Sequence, residues 1–165
     1  MNIEEKVEFL RRRHPSFGKK AIYDVDAKGN EFCEMIYPNT KNPMMPITVS
    51  VNEGGCLISV GQISNITGNR AISVEQAASA IDDIVNDRVV FLLGYKDGED
   101  IGSGAPYLTD IYPVTGDVDD KSEELKAFVK EISVPVSGLR RKLTRLKGRF
   151  VITNFSGSVN KTILR

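Results

Sequence analysis

The sequence predicts an α+β fold: an antiparallel sheet built from hairpins, with helices on one face, in two layers. Three observations predict it. β-prone runs arrive in adjacent pairs joined by short turns rich in Gly, Asn and Asp, which is the hairpin signature. Helical periodicities stand between those pairs instead of alternating with single strands, so a doubly wound parallel sheet and its nucleotide crevice are not expected. The 165 residues, 41% hydrophobic and 27% charged, are an ordinary globular mixture, long enough for one core that buries roughly 70% of the unfolded surface.

The elements follow in order. Ile3, Val7 and Leu10 recur at helical spacing, with Glu4, Glu5 and Glu8 early and Arg11, Arg12 and Arg13 late, as the helix dipole prefers. The spacing predicts a helix over 2–13, ended by Pro15 and Gly18. Ala21–Asp26 and Glu31–Tyr37 read as a hairpin around Ala27-Lys28-Gly29-Asn30. Pro38, Pro43 and Pro46 hold an extended connection. Ile47–Asn52 alternates with period two and turns through Glu53-Gly54-Gly55 into Cys56–Gln62. Ser73 and Gln76 form a capping box ahead of a helix at 74–86 whose apolar face holds Val74, Ala77, Ala78, Ile81 and Val85.

Arg88–Tyr95 is a continuous apolar run of strand length, expected to be central and buried on both faces. It pairs with Ala105–Tyr112 across the glycine-rich stretch Asp97–Gly104, read as a hairpin tip. Asp120 and Glu123 resemble another capping box, before Leu125, Phe128, Val129 and Ile132. Ser137 then opens a helix with a seam of Leu139, Leu143 and Leu146, stopped by Gly148. Phe150–Phe155 is a last strand, and 156–165 a tail that is frayed or tied down only by Ile163 and Leu164. The expected organisation is a main body at 1–132 with a basic helix and strand, 133–165, appended to the same domain.

Charge is distributed unevenly. Residues 1–131 hold 14 Lys/Arg and all 22 Asp/Glu, a balance of −8, while residues 132–165 hold 8 Lys/Arg and no acid. Arg140, Arg141, Lys142, Arg145, Lys147 and Arg149 surround the leucine seam and are the candidate partner-binding residues. Such a basic amphipathic helix can dock its leucines on the domain with its bases facing water or the acidic body, or it can meet nucleic acid, an anionic surface or an acidic protein. No aromatic platform accompanies it, so a protein partner or a second copy, as in a homodimer, is favoured over nucleic acid.

Catalytic templates find little support. His14, the one histidine, follows three arginines and precedes proline, and reads as a solvated imidazole at a helix end. Cys33 and Cys56 lack a CxxC partner or a nearby histidine and read as free thiols. No P-loop or dinucleotide fingerprint is present, and no cofactor or metal is expected. An enzyme would have to rely on the carboxylates between Asp110 and Asp120, of which Asp117, Asp119 and Asp120 are the densest. No apolar run reaches membrane-spanning length and the N-terminus does not read as a secretory signal, so a cytoplasmic chain is expected.

The order of elements over residues 2–132, helix, antiparallel strands, helix, two strands, helix, resembles the type III secretion chaperone-like fold and the related YbjN-like proteins. That resemblance implies a homodimer that binds protein segments without catalysis. Together with the missing catalytic groups it sets the expectation of a protein-binding, adaptor or chaperone-like domain, ahead of a carboxylate enzyme or a nucleic-acid binder.

Overall fold

Helix α1 (Ile3–Arg13) begins where the Asn2 side chain accepts the Glu5 N–H at 2.9 Å and the Glu5 carboxylate accepts the Asn2 N–H at 2.8 Å. The reciprocal pair satisfies two of the helix's orphan donors. A 3-10 turn, Pro15–Phe17, follows at once and ends on Gly18, whose φ of 62° the absence of a Cβ permits. The computed structural model describes residues 1–64, 66, 70–95, 108–113, 149–158 and 160–164. The third and fourth expected helices, the glycine-rich stretch 97–104 and the boundary at 132–133 lie outside them.

Strands β1 (Ile22–Val25), β2 (Glu31–Tyr37), β3 (Ile47–Asn52) and β4 (Gly55–Val60) form one antiparallel sheet in that order. Helix α2 (Val74–Val85) starts on the Ser73–Gln76 capping box, as its sequence predicts. α1 packs on β2 and β3, and α2 on β4 and α1. Cys33, Met35, Ile47, Val49, Val51, Cys56, Ile58 and Val60 point into this helix–sheet layer, where they meet Val7, Leu10, Val74, Ala77 and Ile81, all at most 2% exposed. The α+β fold with an antiparallel sheet and helices packed against it is thereby established. The connection between β2 and β3 is organised by buried Asn39, which donates to the Met45 carbonyl at 3.2 Å and accepts the Asn42 N–H at 2.9 Å.

The remaining strands make a second antiparallel sheet instead of extending the first. β5 (Val89–Tyr95) lies between β6 (Leu108–Pro113) and β7 (Arg149–Thr153), with β8 (Asn160–Leu164) outside β7. The far edge of β4 is already occupied: Cys56 bridges to Ile72 and Val60 to Ile63, so no further strand can pair there. β5 is central, and Val90–Tyr95 are buried, which is what its unbroken apolar run predicts. The tail is not frayed. Asn160–Leu164 pairs with β7 at five positions, from Thr153–Asn160 to Arg149–Leu164, because β7 offers it an open edge. Two compact units result, Met1–Asn86 and Asp87–Arg165.

Candidate functional site

The β1–β2 turn, the β3–β4 turn and the start of α1 meet at one end of the first unit, where exposed Tyr23 and Val25 lie beside several acidic residues. The β1–β2 connection is built by Asp26. Its carboxylate accepts the Lys28 and Asn30 N–H groups at 2.8 and 2.9 Å and the Asn30 side-chain amide at 2.9 Å. Gly29 takes the positive φ of 86° that this turn requires. Those hydrogen bonds, foremost the one from the Asn30 side chain, hold the Asp26 carboxyl below its usual range. The second turn is fixed from inside: the buried ammonium of Lys6 donates to the Asn52 carbonyl at 2.7 Å and the Glu53 carbonyl at 2.8 Å.

Two adjoining grooves open at this end. One, of about 460 Å³, runs between the first turn of α1 and β1, lined by Ile3, Glu4, Tyr23, Asp24, Val25 and Glu31 among others. The other, of about 890 Å³, lies across the hairpin ends and includes Asp26, Asn30, Ser50 and Leu57. They share Glu31, Phe32 and Glu53. Five carboxylates and the shared Phe32 therefore line the two grooves.

Among the described residues, β1 is the edge of the sheet and no strand pairs with its outer side. Register places Tyr23 opposite Cys33, on the helix-bearing face, yet Tyr23 is 57% exposed and Val25 53%. α1 packs mainly on β2 and β3, and its first turn borders β1 across a groove. The Asp26 N–H donates to the Asn30 carbonyl at 2.9 Å. Since bonded and non-bonded pairs alternate along an antiparallel ladder, the main chain of Asp24 faces β2 while that of Tyr23 and Val25 faces away from the sheet. One outward donor is occupied locally, as Asp24 Oδ1 accepts the Val25 N–H at 2.8 Å.

The residues singled out from sequence fare differently. Arg149 lies in β7, opposite Tyr95 and Leu164, and is half-buried. Arg140, Arg141, Lys142, Arg145 and Lys147 lie outside the described residues. Asp110 sits in β6 opposite Leu92, and Asp117, Asp119 and Asp120 again fall outside. His14 is a correction. It is only 6% exposed, and its Nε2 donates to the Ala78 carbonyl of α2 at 3.1 Å and lies 3.7 Å from Asp82 Oδ1. Phe17 and Tyr37 meet its ring edge-on at 6.2 and 6.4 Å. The run of arginines before it suggested water; the small Ala77 and Ala78 of α2 instead let the helices close over it.

Cys33 and Cys56 are free and buried. Burial raises the Cys56 thiol to about 11 and raises Cys33 as well. Both flank Val51 in one cross-strand row, so their Cα atoms stand two strand spacings, about 9.5 Å, apart, beyond the roughly 7 Å a disulfide spans. Neither is a nucleophile in waiting. Among the described residues, no group of three His, Cys, Asp or Glu is placed to hold a metal, and no helix is long and apolar enough to cross a membrane.

Compared with protein-family models, with curated proteins and with solved structures, the chain matches none. The groove was not legible in the sequence: Tyr23, Val25, Phe32 and Glu53 read there as parts of two ordinary hairpins. The available signal was the first hairpin strand itself, short and apolar at three of four positions.

Proposed function

We propose that this chain is a non-enzymatic protein-binding domain whose binding surface is the acidic groove beside β1. The observation that carries this reading is the combination of a strand edge that no described strand pairs with, exposed Ile22, Tyr23 and Val25, and the surrounding carboxylates of Glu4, Asp24, Glu31 and Glu53. Natural sheet edges are kept short, charged or covered to prevent pairing with other chains. An edge that keeps apolar side chains open suits a surface meant to be covered by a partner. The groups that could do chemistry nearby are committed elsewhere. His14 holds α1 to α2, Lys6 holds α1 to a turn, and burial keeps both thiols protonated.

A photo-crosslinking amino acid at position 23, compared with one at exposed Ser79 on α2, tests the reading in cells that make the protein. The expected result is a discrete protein adduct from position 23 and none from position 79. Adducts of equal yield at both positions, or none at 23, would remove the groove as a binding surface.

A further inference from the structure

We infer that the partner segment is an extended basic strand that adds to the free edge of β1, and that Asp24 selects for it. This rests on the protein-binding reading above and specifies its mode and chemistry.

The edge offers three main-chain groups to an incoming strand: the Tyr23 N–H, the Tyr23 carbonyl and the Val25 carbonyl. The fourth, the Val25 N–H, is held by Asp24 Oδ1 at 2.8 Å. A strand can take that donor only if its carbonyl displaces the carboxylate, which is exposed and then turns to water or to a cation on the incoming strand. A lysine or arginine on the incoming strand supplies one directly. A neutral strand leaves the carboxylate to water alone, and an acidic one repels it. The same sign surrounds the rest of the approach, since Glu4, Glu31 and Glu53 line the groove. Tyr23 and Val25 point to the helix-bearing side, so every second side chain of the added strand would lie over them and beside Ile3. Apolar residues suit those positions, and the alternating positions would carry the bases, on the side where Asp24 projects. A second copy pairing through its own β1 is disfavoured by the same charge, since it would bring the Asp24 carboxylates of the two edge strands towards each other.

The test uses the full chain and three labelled decapeptides, alternating valine with lysine, with glutamate and with serine. Fluorescence anisotropy gives affinity at 50 mM and 500 mM salt, and amide hydrogen exchange gives the site. Expected are saturable binding of the lysine peptide, at least thirtyfold preference over the glutamate peptide at low salt, and new protection at the Tyr23 and Val25 amides. Y23P, which removes an outward donor and not a ladder bond, should weaken binding at least tenfold while leaving exchange in β2 and β3 unchanged. D24A should let a valine–serine peptide bind at least fivefold better than it binds the unmodified chain.

Lysine-peptide binding that Y23P does not change, without protection in β1, would overturn strand addition. Equal binding of both charged peptides would overturn the selection by Asp24. Concentration-dependent dimers abolished by Y23P would make a second copy the occupant and overturn the proposal. Failure of all peptides while the position-23 crosslinker still captures a protein would sink this inference alone; failure of both would sink the protein-binding reading with it.

Discussion

Lys6→Met tests the contact that sets the geometry of the groove. The lysine lies in the core-facing stripe of α1 and is 8% exposed. Its ammonium makes two short bonds to carbonyls of the β3–β4 turn. Hydrogen bonds to a charged group contribute about 1.5–3 kcal/mol each. Methionine keeps the length and flexibility of the stem, so packing and side-chain entropy change little, and what is lost is the pair of bonds. Two effects reduce the loss: the mutant no longer buries a cation, and Glu53 is exposed, so water can reach one freed carbonyl. A net destabilisation of about 2 kcal/mol remains. With a urea m-value of about 2 kcal/mol/M, the midpoint should fall by about 1 M.

Because the chain has no tryptophan, far-UV circular dichroism and residue-level hydrogen exchange are the appropriate probes. The loss of protection should be centred on β3, β4 and α1, with amides of β5 and β7 unaffected. A midpoint shift below about 0.25 M would mean that the two bonds are surface contacts, and the reasoning about the clamp would fail.

Four further outcomes are expected. Gly55→Ala places a Cβ against the Ile72 carbonyl at a φ of 138°, and should cost about 2 kcal/mol or more in urea unfolding, with loss of exchange protection at Cys56 and Ile72. Asp26 has a depressed carboxyl, so its stabilising effect is fully present above about pH 4 and lost as pH falls through its lower folded value. The stability difference between the native chain and Asp26→Ala should therefore be flat from neutral pH down to that point and then shrink; a difference that grows on acidification contradicts the turn as described. Cys56, with its thiol raised to about 11, and Cys33 should resist iodoacetamide at pH 8 in the folded protein and react in urea, and rapid native labelling would contradict their burial. His14→Phe keeps a ring between Phe17 and Tyr37 and removes the bond to Ala78, and should cost about 1 kcal/mol by the same denaturation assay.

What could be read from the sequence was whatever is decided locally. The capping box at Ser73, the turn around Gly29 and the buried run of β5 each depend on residues within a few positions of one another, and each formed as their chemistry dictates. The Asn2–Glu5 capping box was equally local and followed the same rule, with Asn in the place of Ser. His14 was misread because its surroundings are not local: Ala78, Asp82 and Tyr37 come to it from other elements. The pairing of β8 with β7 and the closure of the β4 edge by Ile63 and Ile72 depend on which strand edges are already taken, which no window of sequence contains. The groove belongs to the same class, since it follows from where α1 ends up across the sheet.

That placement links stability to binding. Four strands about 4.8 Å apart present a width that two helices of about 10 Å each could nearly cover if centred on the sheet. They are not centred. α2 sits over β4 and α1 over β2 and β3, a displacement of about one strand away from β1. Lys6 is placed to hold this offset, because its reach to Asn52 and Glu53 ties the start of α1 to the β3–β4 turn. The apolar surface left open on β1 is thus the counterpart of a buried, charge-assisted clamp on the other side of the same helix. Loss of the clamp should loosen α1 and weaken binding at β1 together, although Lys6 itself lies outside the groove. An α1 pinned by apolar contacts alone would leave peptide affinity unchanged when Lys6 becomes methionine.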